Sequence, residues 1–394
     1  MSLPLNGLKI LDFSTLLPGP YATQLLSDMG AEVLRIESPT RPDLLKMMPP
    51  MVGKVSAAHA TINRNKKSLA LDLKKPQAKD IIKKLLSEYD IVVEQFRPGV
   101  MSRLGLGYAE VKAINPSVIY CSITGYGQTG PLKDRAGHDI NYLALSGLAS
   151  YSGTKESGPM LSATQIADIA GGSHHAVMAI LAAYIQRTTS GEGQHLDISM
   201  SDAALSLNTM FGAAALADAK PPGLGTEMLN GGLFYGYYQT ADDKYLSIGS
   251  LEPNFAAGLL SLLGLQDCMN LIADVRPASQ EKLKKAIQNK ISAQSRAYWV
   301  EAFAAIDVCV EPVLDFNEAA QHPHFVERGM VVQALDEHGN SVKQLKSALP
   351  FPATQVTMGA ELGRHTQEVM QSLGYSNAEI EELANQACVK TYAQ

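Results

Sequence analysis

Cysteine is scarce in this chain: Cys121, Cys268, Cys309 and Cys388 stand far apart, with no CxxC pair and no metal-ligand spacing. That argues against a disulfide framework or a zinc module and predicts reduced thiols in a cytoplasmic compartment. Long apolar runs are missing too. The longest, Ala176 to Ile185 (AVMAILAAYI), has ten residues, too few to cross a bilayer, so it reads as a buried helix and no membrane partner is expected. The opening MSLPLNGLKILDFS has no basic segment followed by a long apolar one, so no secretory leader is expected. Positive charge is not in excess: 33 Lys and Arg face 39 Asp and Glu, which argues against a nucleic-acid partner. Internal repeats and low-complexity segments are lacking as well.

What is present is an ordinary globular composition, 46% hydrophobic and 18% charged over 394 residues, enough for two or three domains with a large core. The charge is uneven. Residues 1–105 hold 15 Lys/Arg against 10 Asp/Glu, leaving 18 against 29 for the rest. A basic first quarter suits a small polyanion such as a phosphorylated cofactor, or is simply an uneven solvated surface.

The first half alternates strand-like and helix-like segments. LKILDFS (8–14), AEVLRIES (31–38), SLALDL, IVVEQF and VIYCSIT read as strands, with PYATQLLSDMG (20–30), KPQAKDIIKKLLSEYD and YAEVKAIN as helices. This βαβα order predicts an α/β fold with a parallel sheet covered on both faces, its ligand site at the strand ends after Ser14, Leu73, Phe96 and Thr124. Residues 164–190 read as a long helix interrupted at Gly171-Gly172, followed by one more strand and a helix, QHLDISMSDAALSLNTMFGAAALA. Pro221, Pro222, Gly223 and Gly225 mark a boundary. Beyond them LFYGYYQT and KYLSIGS form a predicted hairpin opening a smaller α+β unit, and SNAEIEELANQ is helical near the end.

Gly125-Tyr-Gly-Gln-Thr-Gly130 matches the dinucleotide pattern GxGxxG, but Pro131 and KDR follow where a helix would have to begin, so it is not read as one. Gly171-Gly-Ser-His-His175 lacks the last glycine of a nucleophile elbow. The pairs His174-His175 and His322/His324 lack metal spacing, and no metal site is predicted. In AGHDINYLALSG, His138 and Asp139 stand at the mouth of a helix, where a histidine suits acid/base work and the plain alternative is an N-capping Asp beside a packing His. Asp168 lies within the apolar QIADIAGG, where a charge is costly without a partner; catalysis and a structural hydrogen bond are both open. Glu252, ahead of Pro253, is placed in the first turn of a helix, and Asn230-Gly231-Gly232 is read as a turn.

Together these stretches resemble the family III CoA-transferase superfamily (CaiB/BaiF type), and within it the α-methylacyl-CoA racemases. The resemblance runs through GLKILDFSTLLPGPYATQLLSDMGAEVLRIE, NKKSLALDLK, EQFRPGVMSRLGLG, SITGYGQTGPLKDRAGHDINYLALSG, ADIAGG, SGEGQHLDISM, EMLNGGLFYGYYQTADDKYLSIGSLEPNF and CVEPVL. It implies a Rossmann-like large domain (1–220, returning at 311–394), a smaller α+β domain (221–310) and an interlocked homodimer. It implies an isomerase of lipid metabolism acting on an acyl-CoA substrate, with no tightly bound cofactor beyond the CoA of the thioester. His138 and Asp168 correspond to the family's two proton-transfer groups, and Glu252 to the carboxylate that orients the histidine, given by the partner subunit. The CoA portion corresponds to Leu71, Asp72, Leu73, Lys74, Gln95, Phe96, Arg97, Arg103, Gly137, His138, Asp139, Ile140, Asn141 and Tyr142, with Arg64 and Lys67 as further phosphate contacts. A backbone donor at Asp139 is implied for the enolate oxygen. Two departures stand out: Ser38 replaces a basic phosphate ligand, with Arg35 or Arg41 as substitutes, and Asn230 replaces an aspartate near the acyl pocket. The rivals are a CoA-transferase, with Asp168 as nucleophile, and a CoA-binding protein without turnover.

Overall fold

Apolar strands and amphipathic helices alternate as the sequence predicts, and their connections decide where the strand ends meet. The computed structural model describes residues 2–217, 220–336, 339–352 and 356–392. Six parallel strands, β1 (Lys9–Asp12), β2 (Glu32–Glu37), β3 (Lys67–Leu71), β4 (Ile91–Glu94), β5 (Ile119–Thr124) and β6 (His195–Ser199), form one sheet in the order β3-β2-β1-β4-β5-β6. That order reverses between β1 and β4. In a doubly wound sheet such a reversal opens a crevice at the carboxyl ends of the strands.

The helices follow the same logic. α1 (Pro18–Asp28) and α2 (Pro76–Leu86) both open on prolines, which lose no hydrogen bond in a first turn. On α2, Ala78, Ile81, Ile82, Leu85 and Leu86 recur at three- and four-residue spacing and pack on Leu11, Leu34, Leu69 and Val92 of the sheet. Full burial of each large aliphatic side chain contributes about 1.5–3 kcal/mol. α3 (Asp139–Leu145) follows β5. The run from 164 is not an α-helix with a break: Ala167–His174 is a π-helical turn that feeds α4 (His175–Ser190). After β6 the single predicted helix is two, α5 (Met200–Ser206) and α6 (Thr209–Leu216).

Cα packing divides the chain into two compact units, one comprising 1–146, 163–206 and 323–394, the other 147–162 and 207–322. The expected breaks after 220 and 310 thus fall within the second unit. The Pro-Gly run is an internal turn of that unit, held by Asn230 Nδ2 on the Gly223 carbonyl at 2.8 Å. The later break is displaced because the chain adds a strand there. β7 (Gly236–Gln239) and β8 (Tyr245–Ile248) form the predicted hairpin, and β9 (Val310–Pro312) pairs antiparallel with β8. α7 (Pro253–Leu262) and α8 (Pro277–Ile291) build its core, with Leu259, Leu260, Leu283 and Ile287 against Leu246 and Ile248. The last strand, β10 (Val389–Lys390), joins the first unit's large sheet antiparallel beside β3.

Candidate active site

The carboxyl end of β2 is ionic. Arg35, 1% exposed, meets Glu37 at 3.2 Å and Asp43 at 3.0 Å, and Lys46 meets Glu37 at 2.8 Å. Burial alone would raise the Glu37 carboxyl; Arg35 and Lys46 outweigh it and hold it at about 2. Beside this cluster Lys66 donates to the Pro20 carbonyl at 2.7 Å and to Thr23 Oγ1 at 2.8 Å, and burial pushes its ammonium down to about 7. These paired groups fix the strand ends.

Gly137–Tyr142 leads from the loop after β5 into α3. His138 precedes the helix in extended conformation, and its N–H donates to Asn141 Oδ1 at 3.0 Å while its side chain is exposed. Tyr142 is buried and donates to the Gly137 carbonyl at 2.6 Å. Its ring occupies the space a side chain would need at two glycines: a Cβ on Gly125 would lie 2.5 Å from the Tyr142 hydroxyl, and one on Gly137 2.7 Å from its ring. Of the GxGxxG glycines, Gly125 thus makes room for Tyr142, while Gly127 and Gly130 take positive φ in the loop. No helix begins inside it, since α3 starts only at Asp139.

Asp168 sits in the first turn of the π-helical segment. π-turns within helices recur at functional sites because they shift one residue out of the regular ladder. Ser173 Oγ donates to the Pro18 carbonyl at 2.7 Å, and His175 Nδ1 donates to the Ala170 carbonyl at 2.7 Å. The glycine pair admits neighbouring chain: a Cβ on Gly172 would lie 3.1 Å from Pro18 Cβ and from Met200 Cγ. Asp139 Oδ1 accepts the Asp168 N–H at 3.0 Å, so α3 and the segment are tied directly. Burial, then the charge of Asp139, push the Asp168 carboxyl up to about 6, with His138 opposing. An acid poised there passes a proton in either direction near neutral pH.

The positions matched to CoA gather at the carboxyl edge of the same sheet. Leu71 ends β3, and Asp72 Oδ1 accepts the Lys74 N–H at 3.1 Å in the turn before α2. Gln95 Oε1 accepts the Gly19 N–H at 2.9 Å, joining the loop after β4 to the start of α1 across the strand-order reversal. Phe96 N–H donates to Glu94 Oε2 at 2.8 Å. Lys74, Arg97, Arg103 and Ile140 are exposed. Among the other cations, Arg35 and Arg64 are withdrawn from any phosphate role, because Arg35 is buried in its ion pairs and Arg64 Nε holds Asp28 at 2.9 Å. Lys67 pairs with Glu368 at 2.9 Å, and Arg41 is exposed. Ser38 Oγ accepts the Arg41 N–H at 3.1 Å in a turn.

Glu252 belongs to the second unit and lies one residue before the first turn expected for it, as the exposed N-cap position of α7. Asn230 donates to the Tyr151 and Gly223 carbonyls, at 2.9 and 2.8 Å, and accepts the Glu227 N–H at 2.7 Å. An aspartate there would lose both donated bonds. Sequence reasoning missed Glu94, whose carboxyl burial pushes up to about 7; its signal was a carboxylate in the apolar run IVVEQF. Among the described residues no group of three or more His, Cys, Asp or Glu could hold a metal ion.

Fold and site together define a mixed α/β protein with a largely parallel sheet, in which Asp139 of the helix after β5 holds the Asp168 backbone. A family model described as CoA-transferase family III matches residues 5–366, and the chain belongs to that family. Alpha-methylacyl-CoA racemase of Mus musculus is 34% identical over 98% of this chain and 98% of its own length. Succinyl-CoA:glutarate CoA-transferase of Mus musculus is 31% identical over 96% of this chain and 89% of its own length. The crystal structure of a CaiB/BaiF family protein from Brucella suis superposes with a TM-score of 0.84 at 28% identity, covering 95% of this chain and 100% of that one. The protein is thus an enzyme of the family III CoA-transferase superfamily. No helix among the described residues is long and apolar enough to cross a membrane.

Proposed function

We propose that this enzyme is an α-methylacyl-CoA racemase, interconverting (2R)- and (2S)-2-methylacyl-CoA thioesters by two-base 1,1-proton transfer. The observation that carries the reading is the bond from Asp168 N–H to Asp139 Oδ1 at 3.0 Å, which ties Asp168 to the residue beside His138, with burial pushing the Asp168 carboxyl up to about 6. A 1,1-proton transfer needs one group protonated and one ionised or neutral, on opposite faces of a planar intermediate. In one direction His138 takes the α-proton, the C–H electron pair moves into the thioester as an enolate, and protonated Asp168 delivers a proton to the other face. In the reverse direction the roles exchange. The Asp139 backbone N–H is the proposed donor to the enolate oxygen.

The CoA portion is assigned to Leu71–Lys74, Gln95–Arg97, Arg103 and Gly137–Tyr142, with CoA entering as part of the substrate and no tightly bound cofactor. Glu252 of a second copy is the proposed partner of His138, which requires a homodimer. Supporting that, α6 buries none of its residues within the chain, and Met210 and Leu216 are exposed there. The scattered thiols, all four outside disulfides, support a reducing, cytoplasm-like setting, and a place in lipid metabolism follows from the proposed substrate alone.

The second reading, CoA transfer between carboxylic acids with Asp168 as nucleophile, draws on the transferase relative of similar identity and coverage. It has no use for His138 as a base. The deciding assay follows acyl-group chirality with and without a carboxylic acid acceptor. Racemisation without acceptor, lost in His138→Ala while CoA-ester binding persists, is the expected result. Strict dependence on the acceptor, unaffected by that substitution, overturns the racemase reading.

A further inference from the structure

We propose that Asp139 is a positioning residue for Asp168, holding its backbone from the neighbouring helix and supplying the negative charge that keeps its carboxyl a proton donor; this deepens, and rests on, the racemase reading. The first N–H groups of a helical segment have no acceptor within it. Ile169 N–H finds the Gln165 carbonyl at 2.9 Å, and Asp168 N–H finds Asp139 Oδ1 at 3.0 Å. The acceptor comes from a position 29 residues earlier, so it fixes where α3 and the π-helical segment meet, and with them His138 and Asp168.

An acceptor alone does not require a carboxylate, since asparagine or serine would take the same hydrogen bond. A second carboxylate beside Asp168 carries a cost that neutral side chains avoid, because like charges disfavour ionisation. That cost is useful where a carboxyl must give up and regain a proton closer to neutrality than its ordinary range allows. The groups acting on Asp168 are Asp139, which favours the protonated form, and His138, which opposes it. Tyr142 lies on the same helix. The other elements packed there carry Tyr21 and Asp28 on α1, His195 and Asp197 on β6, Asp202 on α5, and His175, Tyr184 and Arg187 on α4, with His174 at the end of the segment. Asp139 is the group that combines a direct bond to the Asp168 backbone with an opposing charge.

Two variants separate position from charge. Asp139→Asn keeps the acceptor and removes the charge. The alkaline limb of its α-proton exchange profile, where Asp168 loses the proton it donates, should move to lower pH by about one unit. Asp139→Ala removes both, and kcat should fall about 10- to 100-fold with little change in KM, as expected for a misplaced reacting group. An unchanged alkaline limb in Asp139→Asn refutes the role of the charge, and parent-like kcat in Asp139→Ala refutes the positioning. Carbon-13 NMR titration of the Asp168 carboxyl, assigned by difference with Asp168→Asn, reads the same shift without turnover. If the parent exchanges no α-proton, the racemase reading fails while this titration still decides the role of Asp139.

Discussion

Replacing Asp168 with asparagine should stabilise the protein at neutral pH while abolishing its chemistry. Burial first, then Asp139, raise the Asp168 carboxyl from 3.8 to about 6 against the opposing effect of His138. The folded state therefore holds this proton more tightly than the unfolded chain does. The stability so conferred is complete below about pH 3.8 and is lost as pH rises through 6. A shift of roughly two units corresponds to about 3 kcal/mol at ~1.4 kcal/mol per unit. Because the carboxyl is only partly buried, solvent screening reduces this to about 1.5 kcal/mol. Asparagine does not ionise and escapes that cost, so at pH 7.5 Asp168→Asn should melt about 2 °C above the parent. At pH 4.5 most of the parent's Asp168 is protonated in the fold, and the difference should shrink to about 1 °C. Calorimetry of both proteins at both pH values reads this directly. An equal difference at the two pH values, or a lower melting temperature at pH 7.5, refutes the reasoning.

Three further substitutions test the surrounding frame. Arg64→Ala removes the partner of the partly buried Asp28 and should destabilise by about 3 kcal/mol, without a specific rise in the KM for acyl-CoA, whereas exposed Arg97→Ala should raise KM in a salt-dependent way and leave the melting temperature unchanged; thermal unfolding and steady-state kinetics on the two variants check this. Gly172→Ala drives a Cβ to 3.1 Å from Pro18 Cβ and Met200 Cγ, so it should cost about 1–3 kcal/mol and displace the π-turn, read as a lower melting temperature together with lower activity.

Much of the fold was legible because its elements obey local rules. The apolar runs 8–14 and 31–38 could only be buried strands, and Pro20 and Pro76 lie in the first turns of α1 and α2. The hairpin of β7 and β8 followed from two β-rich runs around a polar turn. The unit boundary was not legible in the same way. The Pro-Gly run at 221–225 signals a turn, and composition does not distinguish a turn inside a unit from a link between units; the chain changes unit at Leu207, between two segments that both read as helix. At the site, His138 and Asp168 were chosen on residue type and context. What binds them, the bond from Asp168 N–H to Asp139, spans 29 positions and leaves no periodic trace. The same holds for Arg35 and Arg64, which read as available cations until the structure pairs them with Glu37, Asp43 and Asp28.

The measurement that bears most directly on the two-base account is proton NMR of a single 2-methylacyl-CoA epimer with the purified enzyme in deuterated water, without any second acid. The account predicts loss of the α-proton signal together with scrambling at C2, and neither in His138→Ala. Retention of the α-proton across several acyl chains, with CoA moving once a carboxylic acid is added, would contradict it and leave Asp168 as a nucleophile.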